Sequence, residues 1–138
     1  MRLLLDTPTF LWAISQPAKL PARSRSAIED DSNHAFVSAI SFWEITIKVR
    51  IHKLSLGSDD DLLVAAARTG IVPIPLTSDE VATYGNLTEA SHDDPFDRML
   101  IWQAISQKLV LVSGDAEFRR FVPDGLRLLW KGSSVLKV

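Results

Sequence analysis

Short apolar runs alternate along this chain with longer segments in which apolar residues recur at helical spacing. The runs have the length of buried strands and stand at about 2–6, 34–38, 71–76, 109–113 and 126–130. The longer segments predict helices at about 7–15, 21–30, 41–53, 59–69, 77–87, 95–108 and 115–121. Regular alternation of strand and helix predicts an α/β fold with a parallel sheet.

Residues at the ends of these segments indicate where several elements begin. Ser41 and Glu44 have the spacing of a capping box, which predicts a helix that starts at Ser41. The acids at 59–61 stand at the predicted start of another helix, where the helix dipole favours negative charge. Pro73 and Pro75 interrupt the third apolar run. Because proline has no backbone N–H to donate, this strand is predicted at an edge of the sheet.

The composition limits the class of protein. A chain of 138 residues, 46% of them hydrophobic, has the size of a single domain spanning 1–138. It has no cysteine, which excludes disulfides, thiolate metal sites and cysteine nucleophiles. The sequence shows neither the apolar stretch of a signal peptide nor a run long enough to span a membrane, so we expect a soluble, cytoplasmic protein. The net charge of −2 disfavours broad coating of nucleic acid but allows local basic patches.

Acidic residues follow two of the predicted strands. Asp6 comes directly after the run Leu3 to Leu5, and Asp115 follows the run at 109–113. Since ligands bind beyond the carboxyl ends of strands in an open parallel sheet, both acids are expected to face one crevice. Glu44 and Asp97 are the other candidates. Carboxylates gathered together need a neutralising cation, and oxygen ligands suit Mg²⁺ or Mn²⁺, which makes phosphodiester chemistry the leading hypothesis.

Four blocks of sequence resemble PIN domains, and within them the VapC-like toxin ribonucleases. They are Leu4-Leu5-Asp6-Thr7, the segment 37–45 with Ile47-Lys48, the segment 94–101, which reads Asp-Pro-Phe-Asp-Arg-Met-Leu-Ile, and the segment 111–115. The blocks occur in the family's order and span nearly the whole chain.

The resemblance implies a three-layer α/β/α fold with a central parallel sheet of four or five strands. It also implies an Mg²⁺- or Mn²⁺-dependent endoribonuclease, frequent homodimers and neutralisation by a cognate antitoxin. By position, Asp6, Glu44, Asp97 and Asp115 match the family's acidic quartet. The chain departs from the pattern at Pro8, where many members carry histidine, and mildly at Ser113, where many carry threonine.

Each acid also has a purely structural explanation. Asp6 and Asp115 could cap helices, and Glu44 could act in the capping box or pair with Lys48 one turn later. Asp94 and Asp97 lie in the first turn of a predicted helix and share one face, which makes Asp94 a candidate auxiliary ligand.

Residues near the predicted crevice could assist the acids. Ser113 could hydrogen-bond an acid or a metal-bound water. Lys48, Arg98 and Arg119 are candidates for holding RNA phosphates. His34 and His92 are interpreted as loop or strand-edge residues rather than ligands. All four tryptophans are assigned to the core or an interface, and Trp43 and Trp102 lie on predicted helices without the paired surface aromatics of a base-stacking platform.

Two further classes of function remain open. A phosphoacceptor signalling domain needs adjacent acids after its first strand and a lysine directly after a later strand, whereas Thr7 follows Asp6 here and Lys108 precedes its strand. A catalytically inactive PIN-like module for protein binding is the closer alternative. The segment 41–53 carries more apolar surface than one core-facing stripe needs, and Val81 and Tyr84 add to it. This excess predicts a homodimer and an antitoxin tail that covers an apolar groove.

Overall fold

Parallel strands form the centre of the computed structural model, which describes residues 1–56 and 61–132. Within this part of the chain the strands are β1 Arg2–Leu5, β2 His34–Ser38, β3 Val72–Ile74, β4 Val110–Val112 and β5 Arg127–Leu129. Their order in the sheet is β3-β2-β1-β4-β5, and every neighbouring pair is parallel. The predicted parallel sheet is therefore confirmed, with five strands.

Helices cover both faces of this sheet. They are α1 Thr7–Ser15, α2 Ala22–Glu29, α3 Ala39–Arg50, α4 Leu62–Arg68, α5 Ser78–Thr83 and α6 Pro95–Gln107, with 3-10 segments at Pro17–Lys19, Tyr84–Asn86 and Ala116–Asp124. Side chains alternate across a strand, so Leu3 and Leu5 pack with Phe10 and Ile45 on one face, while Leu4 packs with helix α6 on the other. This arrangement gives the three layers that were predicted.

Helix α3 begins earlier than the sequence pattern predicted. Its N-cap is Ser38, whose side chain accepts a hydrogen bond from the Ile40 N–H at 3.1 Å, so the prediction of a capping box at Ser41 and Glu44 is wrong. The physical reason is that β2 runs directly into α3 without a loop, and the last strand residue serves as the cap. Ser41 and Glu44 are both buried inside the helix. The capping box of this fold lies instead at Thr77 and Glu80, where α5 starts.

Other boundaries shift for equally local reasons. Helix α4 starts at Leu62 because Asp61 caps it, and its side chain accepts from two backbone N–H groups at 3.0 Å. Asp59 and Asp60, which were predicted in the same helix, lie outside the described residues. Strand β3, which contains Pro73 and ends before Pro75, lies at the sheet edge as predicted. Over the described residues we find no helix with the length and apolarity needed to span a membrane.

The strand order places a crevice beside β1. From β1 the chain proceeds to β2 and β3 on one side, whereas β4 and β5 lie on the other side. Ligands of open α/β sheets bind at such a reversal, beyond the carboxyl ends of the strands. The Asp6 N–H donates to the Val112 carbonyl at 3.1 Å, which fixes the end of β1 against the end of β4. The point at which the strand order changes direction therefore lies between Asp6 and the loop Ser113 to Asp115.

Candidate metal centre

One cavity of about 670 Å³ lies at this reversal and gathers the predicted acids. Asp6, Glu44, Asp97 and Asp115 all line it, and so does the candidate auxiliary acid Asp94. The five carboxylates come from the ends of β1 and β4 and from α3 and α6, so no short segment of sequence contains the site.

Asp6 is buried at the end of β1 and lines the cavity. It is 4% exposed, and its Oδ1 accepts a hydrogen bond from the Thr9 N–H at 3.0 Å, which makes it the N-cap of α1. Burial raises the pKa of this carboxyl, while hydrogen bonds from Ser113 and Thr9 oppose the rise and the charge of Asp115 adds to it. A cation in the cavity would offset the cost of keeping this buried group ionised.

Glu44 is held at both carboxylate oxygens. Oε1 accepts from the Thr7 hydroxyl at 2.7 Å, and Oε2 accepts from the Lys48 ammonium at 2.6 Å. Glu44 is 4% exposed, whereas the Lys48 side chain is 44% exposed and lines the cavity. The hydrogen bond to Glu44 raises the pKa of Lys48. The i,i+4 pair considered from the sequence is thus present, and it holds a buried carboxylate that still faces the cavity.

Asp94 and Asp97 occupy distinct positions at the start of α6. Asp94 is the N-cap, and its Oδ1 accepts from the backbone N–H groups of Phe96 at 2.9 Å and Asp97 at 3.3 Å. Burial raises the pKa of Asp97 to about 6, and the charges of Asp94 and Glu44 add to this while a hydrogen bond to His92 opposes it. Asp97 therefore ionises less readily than an ordinary carboxyl, as expected where several acids share one space.

His92 joins the acids of the cavity to a neighbouring carboxylate. Its Nε2 lies 2.9 Å from Oδ2 of Asp97, and its Nδ1 lies 3.0 Å from Oε2 of Glu117. Burial alone would lower the pKa of His92, but the bonds to these two carboxylates outweigh it and raise the pKa. Ligand atoms of His92, Asp97 and Asp115 all lie within 4.8 Å of one another.

The sequence interpretation of His92 as an ordinary loop residue missed this contact. The only signal available was its position shortly before the Asp94 to Asp97 block, since nothing in the sequence pairs residue 92 with Glu117.

The loop after β4 connects Asp115 to Asp6. Asp115 Oδ1 accepts from the Glu117 N–H at 2.9 Å and caps the 3-10 segment that follows. The Asp115 N–H donates to the Ser113 hydroxyl oxygen at 3.1 Å, and the Ser113 side chain also bonds to Asp6. Ser113 thus fixes the position of Asp115 relative to Asp6, two acids of the predicted quartet.

The three predicted phosphate contacts fall in different environments. Lys48 lines the cavity. Arg98 does not, because its guanidinium donates to the Tyr84 hydroxyl at 2.6 Å and to the carbonyls of Glu89 at 2.6 Å and His92 at 3.2 Å. Arg98 therefore braces the loop before α6. Arg119 is exposed on the 3-10 segment and is absent from the described lining of the cavity.

Several lining residues were not singled out by sequence reasoning. Lys53 contributes a second ammonium group, and Trp12 and Trp130 form a pair with ring centroids 6.2 Å apart. Pro8 lines the same cavity at the position where the family often has histidine. Lys53 and Trp12 lie near Glu44 and Asp6 in the chain but belong to no recognised motif. Trp130 reaches the cavity from the end of β5, which is remote from Asp6 in the sequence.

The chemistry of the donors fits a hard divalent cation. The lining offers carboxylate oxygens from five acids, and Mg²⁺ and Mn²⁺ prefer oxygen ligands. Asp6 and Asp97 have a raised pKa because they are buried. The protein groups around them therefore do not fully offset the free-energy cost of burying their negative charge. Asp6, Glu44, Asp97 and Asp115 are thus brought together, with Asp94 beside them.

Comparison with known proteins gives a family and a fold. A family model for the PIN domain matches residues 3–122. No curated protein matches the chain significantly. The fold is similar to that of VapBC2 from Rickettsia felis, solved with a DNA fragment from the promoter, at a TM-score of 0.68 and 18% identity over 95% of this chain and 100% of that one. It is also similar to VapBC-1 from nontypeable Haemophilus influenzae, at a TM-score of 0.61 and 15% identity over 94% and 97% of the two chains.

Proposed function

The chain belongs to the PIN domain family, and on this premise we propose that it is a metal-dependent endoribonuclease and the toxin of a toxin–antitoxin pair. The observation that carries the proposal is the single cavity lined by five carboxylates, two of which have a raised pKa because of burial. The structural likeness to two VapBC proteins supports the assignment to a toxin–antitoxin system. The protein would act in the cytoplasm as a single domain.

The residues of the cavity have separate roles in this proposal. Asp6 and Asp97 would hold the ion directly, and Asp115 would complete the site or hold a second ion. Glu44, fixed by Thr7 and Lys48, holds the ion or orients the attacking water. Mg²⁺ or Mn²⁺, when bound, supplies a water of lowered pKa and stabilises negative charge on the phosphate.

The remaining groups position the acids and the substrate. Asp94 caps α6 and adds negative charge beside Asp97, and Ser113 orients Asp6 and Asp115. Lys48 meets phosphate groups at the cavity, and Arg119 does so from the exposed 3-10 segment. Arg98 contributes through the loop that it braces, because its Nε and Nη1 groups already donate to Tyr84 and to the loop carbonyls.

Asp6→Asn tests the metal and the chemistry together. Asparagine preserves both the shape and the helix cap, so the variant should fold, while Mg²⁺ binding weakens and RNA cleavage is lost. Calorimetric titration of Mg²⁺ and cleavage of a labelled single-stranded RNA would be measured on both proteins. Equal cleavage by purified wild type and variant would overturn the assignment of Asp6. Wild-type protein that binds metal but cuts no RNA would favour the inactive binding module.

An exposed apolar surface supports the proposed protein partners. Trp43 is 59% exposed on α3, and Leu63 and Val64 are 60% and 49% exposed on α4. A groove of about 490 Å³ beside them is lined by Trp43, Ile47, Val49, Leu56 and Leu62 with two polar neighbours. Large exposed apolar patches on soluble proteins commonly mark interfaces. We assign this surface to a homodimer contact and to the antitoxin tail.

Growth and mass measurements test these partners. Expression of the chain alone should slow bacterial growth, and co-expression with the product of the adjacent reading frame should relieve it. Arrest that persists with Asp6→Asn would contradict a nuclease toxin.

For the dimer, Leu63→Glu should convert a particle with the mass of two chains into one with the mass of a single chain. A single-chain mass for the wild type would contradict the homodimer.

A further inference from the structure

Two tryptophans form one wall of the cavity that holds the acids. Trp12 lies on α1 and Trp130 directly follows β5, and their ring planes are inclined by 35° at a centroid distance of 6.2 Å. Both are half-buried and both line the cavity together with Asp6 and Asp115. A flat ring inserted between them would need about 3.5 Å on each side, so the pair has no open slot. Both rings are instead reached from the cavity that they line.

The position of Trp130 is fixed by contacts to the loop that carries Asp115. A Cβ added to Gly114 would lie 2.7 Å from the Cε2 and Cζ2 atoms of the Trp130 indole, so the ring packs directly against the glycine backbone. The Trp130 carbonyl also accepts a hydrogen bond from the buried Ser24 hydroxyl at 2.6 Å. The indole is therefore held at a defined place beside the Asp115 loop.

The rest of the cavity is charged. Lys48 and Lys53 bring positive charge into the lining, and the carboxylates gather where a cation would be held. A phosphate bound through that cation and these ammonium groups carries a sugar and a base, and the base must lie within one nucleotide of the phosphate. Aromatic faces suit a base because every nucleobase has a π-face, and such stacking is tolerant of sequence.

We infer that Trp12 and Trp130 form a stacking platform for a nucleobase of RNA next to the phosphate that is cleaved. This inference rests on the proposed ribonuclease function and adds to it a means of gripping single-stranded RNA without reading a particular base. A stacked base would also set the direction in which the strand crosses the carboxylates. The platform would favour unpaired RNA, because a base inside a duplex has no free face to offer.

The test separates base contacts from phosphate contacts. Two labelled probes of equal length are used, a single-stranded oligoribonucleotide of mixed sequence and an abasic oligomer with the same sugar–phosphate backbone. Binding is followed by fluorescence anisotropy with Mg²⁺ present, and a gel after each titration checks that the probe is intact. The proteins are wild type, Trp12→Ala, Trp12→Phe and Trp130→Ala. Trp102→Phe is the control, because Trp102 lies on α6, donates to the Thr83 hydroxyl and is absent from the described lining.

The expected result is a base-dependent loss of affinity. Trp12→Ala and Trp130→Ala should bind the oligoribonucleotide about ten-fold more weakly, the order expected from the loss of one stacked base. Their affinity for the abasic probe should be unchanged, Trp12→Phe should recover most of the loss, and Trp102→Phe should match wild type. Because Trp130→Ala leaves a gap against Gly114, circular dichroism checks its fold, and Trp12→Ala carries the test if it unfolds.

Three outcomes would overturn the inference. Equal losses on both probes would show that the tryptophans support the shape of the site and contact no base. Unchanged affinity for both probes, with metal-dependent cleavage intact in wild type, would remove the platform and leave the proposed function standing. If the variants bound RNA normally but still slowed growth when the partner was co-expressed, Trp12 and Trp130 would belong to a protein interface. Wild type that neither binds nor cuts RNA would refute the proposed function as well.

Discussion

Asp97→Asn should make the metal-free protein more stable while removing its chemistry. Burial raises the pKa of Asp97 from 3.8 to about 6. A rise of about two, at about 1.4 kcal/mol for each pKa unit, corresponds to about 3 kcal/mol of folding free energy that the ionised group costs at neutral pH. Asparagine removes this cost, but it loses the charge that favours the helix start and the charged partner of His92. The expected net gain is therefore about 1–3 kcal/mol.

The gain should depend on pH in a definite direction. A carboxyl whose pKa is higher in the folded state destabilises the fold fully at pH values above its folded pKa, here about 6. As the pH falls from there towards the ordinary value of 3.8, the folded state takes up the proton before the unfolded state does. Wild type then becomes more stable relative to the variant. The difference between the two proteins should be largest at neutral pH and small near the ordinary pKa.

Urea unfolding in the presence of a chelator measures this difference. Wild type and Asp97→Asn would be compared at neutral pH and near pH 4, with Asp93→Asn as a control because it removes the same charge from an exposed neighbour. Adding Mg²⁺ should reverse the order at neutral pH, since only wild type keeps the full ligand set and ligand binding stabilises the folded state. A variant that is no more stable than wild type at neutral pH without metal would refute the reasoning.

The remaining predictions concern the neighbours of the acids. Asp94→Ala should lower the free energy of unfolding in urea by about 1 kcal/mol, the usual value of a helix cap, whereas Asp94→Asn should not. Asp97→Ala should abolish RNA cleavage. If instead Asp94→Ala abolished cleavage and Asp97→Ala cost only stability, Asp94 would be the residue at the ion. Thr7→Val should lower the maximal cleavage rate because Glu44 loses its 2.7 Å hydrogen bond, and an unchanged rate would show that Lys48 alone fixes Glu44. Gly114→Ala should lower the melting temperature, because its Cβ would lie 2.7 Å from the Trp130 ring; an unchanged value would mean that the indole moves at no cost.

The sequence was sufficient to predict the parts of the fold that depend on nearby residues. Buried runs ending in acids predicted β1 and β4, and the parallel sheet then implied that Asp6 and Asp115 would meet, as they do at the cavity. The start of α3 was predicted wrongly because two serines could cap it, and only the direct junction of β2 and α3 selects Ser38.

The contacts that could not be predicted join distant parts of the chain. His92 reaches Glu117 across 25 residues, and Trp12 on α1 meets Trp130 after β5. Their spacing in the sequence follows no helical or strand period, so no local pattern could link them. Arg98 was predicted to hold RNA because it lies next to an acidic motif, and no sequence pattern indicated that its Nε and Nη1 groups donate to Tyr84 and to the loop carbonyls.

The caps at the cavity also bear on how this site could be lost in evolution. Asp6, Asp94 and Asp115 each use one carboxylate oxygen to hold backbone N–H groups at the start of a helix. Replacement by alanine removes the charge and the cap together, whereas asparagine retains the cap and removes only the charge. Either replacement needs a single nucleotide change in an aspartate codon, so the retained cap decides between them. Descendants that keep the fold as a binding module but abandon the chemistry should therefore carry asparagine at these positions more often than alanine.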